Sequence, residues 1–566
     1  MHVTLCLVRK IWIMVISLCM DKGRGTGMKR ILSVFINRDN AIRIMVTALL
    51  AASSQPLIAW SMAGLSGAFL ENDLIYAAVF RNILILLLAL FIAWFADNSK
   101  ANLLLDSEFE LRKQVFDSIY AMPIDEFEKK DSGAYYNQIG RDTQILSKEL
   151  FEGTLKIIVN GLSIGLIAVL LLYCHWMSFL IILIFLLPLT INNLLMPQRI
   201  AACQERSMQT LVGMTVKIKD LLSGFFTARF QEGEKQVSES MYTHFAAAAA
   251  AEKQIMKLAN LSGLIANASV TLSQFSGLFA AFYLMRLGKI DFPQFVLIFQ
   301  LGMIVSEPVI SLINAVISVR SSRPYIENTE KILAGYKCRE DFRLDKVCSI
   351  RLDDVSFAYP EKQRSVLEHF NYCFEQGRKY LIVGESGSGK TTLIKLLLGT
   401  LHPGSGHIYY DRIDQQELSP SEIYHHSAVV PQQVYIFDDT IRRNLDLKGN
   451  CTDEELLAVI SKVKLDKFFA ANGYTLDTRI SNETLQVSGG EKARIGLARS
   501  LTLPKSIVIY DEVLSGLDPQ NAELIEDLLL ADDERIVIHI AHNSSPKYQE
   551  RYDAVVRLTI QNAPGE

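Results

Sequence analysis

With 566 residues the chain is long enough for two or three domains. Half of its residues are hydrophobic, mean hydropathy is +0.20 and only 21% are charged, too apolar for a soluble enzyme of this size. A net charge of −4 without any long basic run leaves a nucleic-acid partner no electrostatic support.

The 40 residues ahead of the first long apolar segment read as a cytoplasmic segment. "RKIWIMVISLCM" has a basic-then-apolar look, but no small-residue cleavage site follows it. "KGRGTGM" back-translates to a purine-rich ribosome-binding sequence just before Met28, so we expect translation to start at Met28 rather than Met1. The eight cysteines (Cys6, Cys19, Cys174, Cys203, Cys338, Cys348, Cys373, Cys451) form no CxxC pair or zinc-like cluster. Most are expected to be reduced, buried small hydrophobes.

Six long apolar segments follow, at roughly 41–66, 77–96, 155–174, 177–197, 257–284 and 292–318, each near or above the ~20 residues that cross a bilayer as helix. The connections after the first, third and fifth are short. Those after the second and fourth are long, charged and helical in pattern, and "FAAAAAAEK" is a strong helix former leading into the fifth span. Lys and Arg gather before the first span and in the two long connections, which places these segments and both termini in the cytoplasm.

Beyond about residue 345 short β-rich runs ("KYLIVG", "SAVVPQ", "SIVIYDE", "RIVIHIAH") alternate with helical stretches, the pattern of a mostly parallel sheet. The expected architecture is therefore a membrane all-α six-helix domain plus an α/β P-loop NTPase domain. Its divisions are 1–40, a membrane domain at 41–325, a linker at 326–346 and a nucleotide-binding domain at 347–566.

"VGESGSGKTT" supplies the chemistry. Gly384, Gly389, Lys390 and Thr391 match G-x-x-x-x-G-K-[ST] between an expected strand and an expected helix. With Glu385, Ser386, Gly387, Ser388 and Thr392 they form a loop whose N–H groups wrap phosphates. Lys390 reaches the β/γ oxygens of ATP and Thr391 ligates Mg²⁺. "IVIYDE" sets two carboxylates at the end of a buried strand, where α/β sheets place their ligands. Asp511 is expected to hold Mg²⁺ and Glu512 to act as general base on the attacking water.

"VSGGEKARIGLARSL", about twenty residues before that strand, then resembles the signature of the ATP-binding-cassette (ABC) family. Six spans followed by one cassette resemble a half-size ABC exporter over nearly the whole chain. The resemblance implies that Ser488, Gly489 and Gly490 bind the γ-phosphate of ATP held by the other cassette of a dimer, homomeric or heteromeric. It further implies that Tyr359 in "VSFAYP" stacks on adenine, and that Gln432 in "VVPQQ", chosen by register over Gln433, touches Mg²⁺. Asp518 would link the two sites and His542 would contact the γ-phosphate, while His539 is read as structural. Val487 and Glu491 depart from the signature's usual leucine and glutamine, and "ISNETLQ" lacks the usual Glu-x-Gly arrangement, which touches coupling rather than ATP binding.

In the same light "FEKKDSGAYYNQIGRDTQIL" and "LLSGFFTARFQEGEK" look like the two intracellular loops of these exporters. Each is expected to end in a short transverse helix, with Tyr135, Tyr136, Phe225 and Phe226 as anchors or as ordinary helix packing. Polar groups within the spans are Gln55, Asn160, Asn267, Gln274, Gln300, Glu307 and Asn314; Glu307 precedes Pro308 and marks either a kink or a contact with cargo. The implied function is ATP-driven export of a hydrophobic or amphipathic small molecule, lipid or peptide across a bacterial plasma membrane. Uptake through the same fold, and an ATP-gated sensor that moves nothing, remain as alternatives.

Overall fold

The computed structural model describes residues 31, 35, 38–71, 75–130, 132–334, 343–359, 365–385, 387–481, 489–514, 519–541 and 546–559. Residues 1–30, including Met28, and Asp518, His542, Ser386 and Ser488 lie outside them. The described chain divides into two compact units, residues 121–130 grouping with the second.

The first unit is helical. Its helices are α1 (Arg38–Glu71), α2 (Ile75–Tyr120), α4 (Ser132–Cys174), α5 (Trp176–Ser223), α7 (Glu234–Arg286), α8 (Phe292–Ile304) and α9 (Ser306–Ser321), with the short α6 (Phe225–Phe230) between α5 and α7 and α10 (Arg323–Leu333) after α9; α3 (Ile124–Glu128) belongs to the second unit. Among the described residues six stretches are long and apolar enough to span a membrane, each containing or overlapping one expected segment. With 46, 48 and 53 residues, α2, α5 and α7 are each about 70–80 Å long, more than twice a ~30 Å hydrocarbon core. The long charged connections are thus continuations of the spanning helices. The N-terminal half of the expected linker is also helical, since α10 runs to Leu333 and buries Ile326, Thr329 and Ile332.

In lipid no hydrophobic force draws helices together, so small residues decide how closely they pack. Gly277 of α7 meets Gly302 of α8 backbone to backbone: a Cβ on Gly277 would stand 2.8 Å from Gly302 Cα, and one on Gly302 2.7 Å from Gly277 Cα. Ser273, Ser276, Ala280 and Ala281 continue that buried face of α7. Polar pairs add specificity, with Ser61 Oγ donating to Asn82 Oδ1 at 2.8 Å and Asn160 Nδ2 to Ser311 Oγ at 2.8 Å. The sixth span breaks at Val305, where Pro308 has no N–H to return to the carbonyl four residues earlier.

The second unit carries two main sheets. One is antiparallel, order β2-β1-β4-β5, from β1 (Ser349–Ala358), β2 (Ser365–Glu375), β4 (Ser405–Tyr410) and β5 (Ile413–Asp414). The other is parallel, order β11-β3-β10-β9-β6, from β3 (Lys379–Gly384), β6 (Ser427–Val430), β9 (Ile507–Asp511), β10 (Ile536–Ala541) and β11 (Ala554–Leu558); β7 (Asp439–Thr440) and β8 (Arg479–Ile480) pair separately. Strands buried on both faces read as continuous apolar runs, which is why "IVIY" and "IVIHI" were legible. Ile382, Ile509 and Ile538 pack toward α11 (Lys390–Leu397), while Val508, Val537 and Tyr510 pack toward α14 (Gly489–Leu501). Helix α12 (Pro420–His426) leads into β6, and α13 (Asp453–Lys462) lies between β7 and β8 in sequence. Helix α3 joins this unit through its Glu128 carboxylate, which pairs with Lys395 of α11.

Of the two readings of Tyr135, the structure shows helix packing: it lies in the first turns of α4, 4% exposed. Two expectations need correction. The short helix of that loop does not end it but precedes Tyr135 as α3. Nor are most of the described cysteines buried, since only Cys174 is and Cys348 and Cys373 are exposed, although all five described are unpaired as expected.

Candidate nucleotide site

The site starts at the end of β3. A Cβ on Gly384 would collide with Ser388 Oγ and with the Leu558 carbonyl, and one on Gly389 would come within 2.9 Å of Val366 Cγ1. Gly387 and Gly389 hold φ of +84° and +95°, the left-handed region open to glycine, and α11 begins at the next residue, Lys390. The turn is therefore a cradle of backbone at a helix N-terminus, suited to an anion. Lys390, 7% exposed, folds its ammonium back onto the carbonyls of Gly384 (2.6 Å) and Glu385 (3.0 Å). Ser388 Oγ is buried without a hydrogen-bond partner among the described residues, and the hydroxyl-bearing Thr391 is exposed in the first helical turn. A cradle that excludes Cβ atoms, a cation parked on its own loop and an orphaned hydroxyl fit a triphosphate.

Tyr359 stands at the end of β1, its hydroxyl 3.2 Å from Thr392 Oγ1 and its ring edge-on to Phe357. That contact ties the expected adenine-stacking ring to the phosphate loop's own helix. Strand pairing sets the acidic end beside it, since β10 lies between β3 and β9 and Asp511 pairs with Ile540. Glu512 follows with φ +52°, uncommon for a side chain with a Cβ, and its N–H donates to the Ile540 carbonyl at 3.1 Å. Of the two neighbouring glutamines, Gln432 reaches this end of the sheet, its Nε2 donating to Glu512 Oε2 at 2.7 Å. Asp511, Glu512, Gln432 and Thr391 all carry oxygen atoms of the kind a hard divalent cation takes.

Gly489 and Gly490 open α14. None of the hydrogen bonds among the described residues joins them to the phosphate loop of the same chain. At the other end of α14, Arg499 escaped the sequence reading. It donates to the carbonyls of Asn444 (2.6 Å) and Tyr435 (2.7 Å) and to Asn444 Oδ1 (2.9 Å), with its guanidinium 5.7 Å from the Phe437 ring centre. It fastens the glycine-initiated helix to the segment that follows Gln432. Only its place three turns along an amphipathic helix could have flagged it.

His539 is structural, as expected. It is 3% exposed, with Nδ1 2.6 Å from the Tyr552 hydroxyl, which donates to Glu526 Oε1 at 2.9 Å; Arg551 closes the chain onto Glu526 Oε2 at 2.7 Å. Burial pushes the His539 imidazole down from 6.5 to about 4, so it is neutral at physiological pH.

Comparison with known proteins agrees with this geometry. The model of the "ABC transporter transmembrane region" matches residues 41–309, and that of "ABC transporter" matches residues 367–515. The ATP-dependent lipid A-core flippase of Pasteurella multocida is 25% identical over 449 residues, 77% of this chain and 76% of its own. The nisin transport ATP-binding protein NisT of Lactococcus lactis is 35% identical over 203 residues, 34% of each chain. Among solved structures, a bacterial Atm1-family ABC exporter with ATP bound shares the fold, with a TM-score of 0.75 over 92% of this chain and 93% of its own at 19% identity. Matched in both its membrane and its ATPase regions, the chain belongs to the ABC transporters, as an exporter-type half-transporter whose cassette couples ATP hydrolysis to transport.

Proposed function

We propose that two copies of this chain form an exporter for hydrophobic or amphipathic small molecules, lipids or peptides, with both termini and the cassettes in the cytoplasm. The observation that carries the reading is the built phosphate cradle with Gln432 hydrogen-bonded to Glu512 beside it. Lys390 leaves the loop carbonyls to meet the β/γ phosphate oxygens, while Thr391, Asp511 and Gln432 would hold Mg²⁺. When bound, Mg²⁺ supplies charge neutralisation on the phosphates. Glu512 accepts the proton of the attacking water, and His542 steadies the γ-phosphate.

Dimerisation is supported by what one chain leaves undone. The helix α14 glycines serve no hydrogen bond to their own phosphate loop among the described residues, and half-transporters of this type pair. In the loop between α5 and α7, Phe225, Phe226 and Phe230 are 58%, 74% and 83% exposed on a six-residue helix. Three exposed phenylalanines on so short an element call for a protein surface to cover them. A second copy supplies it most simply; a related half-transporter is the alternative.

Direction and cargo are tested together in inside-out membrane vesicles, whose cassettes face the bath, with ATP and Mg²⁺ supplied in the outer medium. The panel is a fluorescent phospholipid, a lantibiotic-type peptide and a hydrophobic dye. ATP-dependent accumulation of one of them, absent in Glu512→Gln, is expected. Depletion would indicate uptake, and steady turnover that moves nothing would indicate a sensor.

A further inference from the structure

Within the apolar cores of the spans, residues 44–70, 82–96, 157–198, 258–285 and 292–319, the single charged residue is Glu307; Arg43 and Arg81 stand just outside these cores, near the starts of the first and second spans. It is the sixteenth residue of the 30-residue span Phe292–Ser321, roughly 22 Å from either end and so near the middle of a ~30 Å hydrocarbon core. The structure also settles which way it faces. Leu301, Gly302, Val305 and Ser306 are buried against neighbouring helices, whereas Met303, Glu307 and Asn314 are exposed at spacings of four and seven, one stripe along the helix. Among the described residues no hydrogen bond or ion pair reaches the Glu307 carboxylate. It stands in the first turn of α9, just past the break at Val305, where the helix dipole favours a negative charge.

A carboxylate on that stripe does not face hydrocarbon tails, which cannot solvate it. At mid-depth a second copy of the chain brings no Lys or Arg to it either, since Arg43 and Arg81 lie near span starts and the cores hold none. What remains is a water-filled path through the membrane domain with one uncompensated negative charge per chain at mid-depth. We infer that Glu307 makes this transporter selective for cationic amphiphiles, molecules with an apolar body and an ammonium, phosphonium or guanidinium centre. This rests on the exporter reading and narrows its cargo class. Asn314 and Met303 on the same stripe flank the charge with one polar and one soft apolar contact, which accommodates such a molecule without fixing its shape.

The test uses the full chain in lipid nanodiscs and a matched pair of probes with the same bulk and opposite charge, tetraphenylphosphonium and tetraphenylborate. Equilibrium binding is read without ATP, against empty discs. Wild type is expected to bind tetraphenylphosphonium and to show no tetraphenylborate binding above empty discs. Glu307→Gln should weaken cation binding at least about tenfold, and Glu307→Asp should stay within about threefold of wild type. The melting temperature of Glu307→Gln in nanodiscs is expected to match wild type, which checks that the variant is folded. Equal cation affinity in wild type and Glu307→Gln, equal binding of the two probes, or no cation binding above empty discs would each overturn the inference. Charge-selective binding in a chain that moves nothing with ATP would sink the exporter reading alone. ATP-driven movement of another cargo without Glu307-dependent binding would sink this inference alone.

Discussion

Residues that carry chemistry through their immediate neighbours were legible in the sequence, and those that act through distant contacts were not. The phosphate loop is a local object, as glycines, lysine and helix start all fall within ten residues. The bond between Gln432 and Glu512 joins positions 80 apart and emerges only when β6 and β9 lie side by side. Arg499 was missed for the same reason, since its acceptors lie 55 and 64 residues away. His539 gives a prediction at this scale. Its pKa is depressed in the fold, so the unfolded chain takes up the proton first, and stability is lost as pH falls from 6.5 toward 4. At pH 5 the loss should be about 2 kcal/mol for this one group. Thermal unfolding of the detergent-solubilised chain between pH 7.5 and 5 should show a steeper fall for wild type than for His539→Gln; parallel curves would contradict the assignment.

At the level of elements, hydropathy located the spans but not their ends. It measures where lipid is tolerated, and a helix that leaves the bilayer keeps its hydrogen bonds in water, so α2, α5 and α7 run on unmarked. The short helix α3 lies ahead of its expected place, while the "AYYN" stretch turned out to be the start of α4 with Tyr135 alone buried. Packing between helices was equally invisible, since Gly277 and Gly302 are ordinary glycines until their helices cross. Gly277→Ala should cost about 1–3 kcal/mol, the price of overpacking a close crossing. Gly165→Ala, with nothing within 4 Å of the added Cβ, should be near neutral. Melting temperatures of both variants in nanodiscs decide the matter, and equal values would mean the two helices do not meet at those glycines.

For the whole molecule, the fold class followed from two compositional textures in one chain, six apolar segments and then alternating strands and helices. What no single chain displays is the completed ATP site. The account's central claim is that each site is shared, with the phosphate loop of one copy facing the signature of another. Lys390→Ala should abolish ATP turnover by spoiling the first half, and Gly489→Asp should abolish it by spoiling the second. Co-expressed and co-purified into nanodiscs, the two inactive chains should regain about a quarter of wild-type turnover, since half of the dimers are mixed and each mixed dimer has one intact site of two. That mixing experiment is the most direct measurement. Recovered Mg²⁺-dependent hydrolysis is the predicted result, and a mixture as inactive as its components would contradict a site built from two copies of this chain.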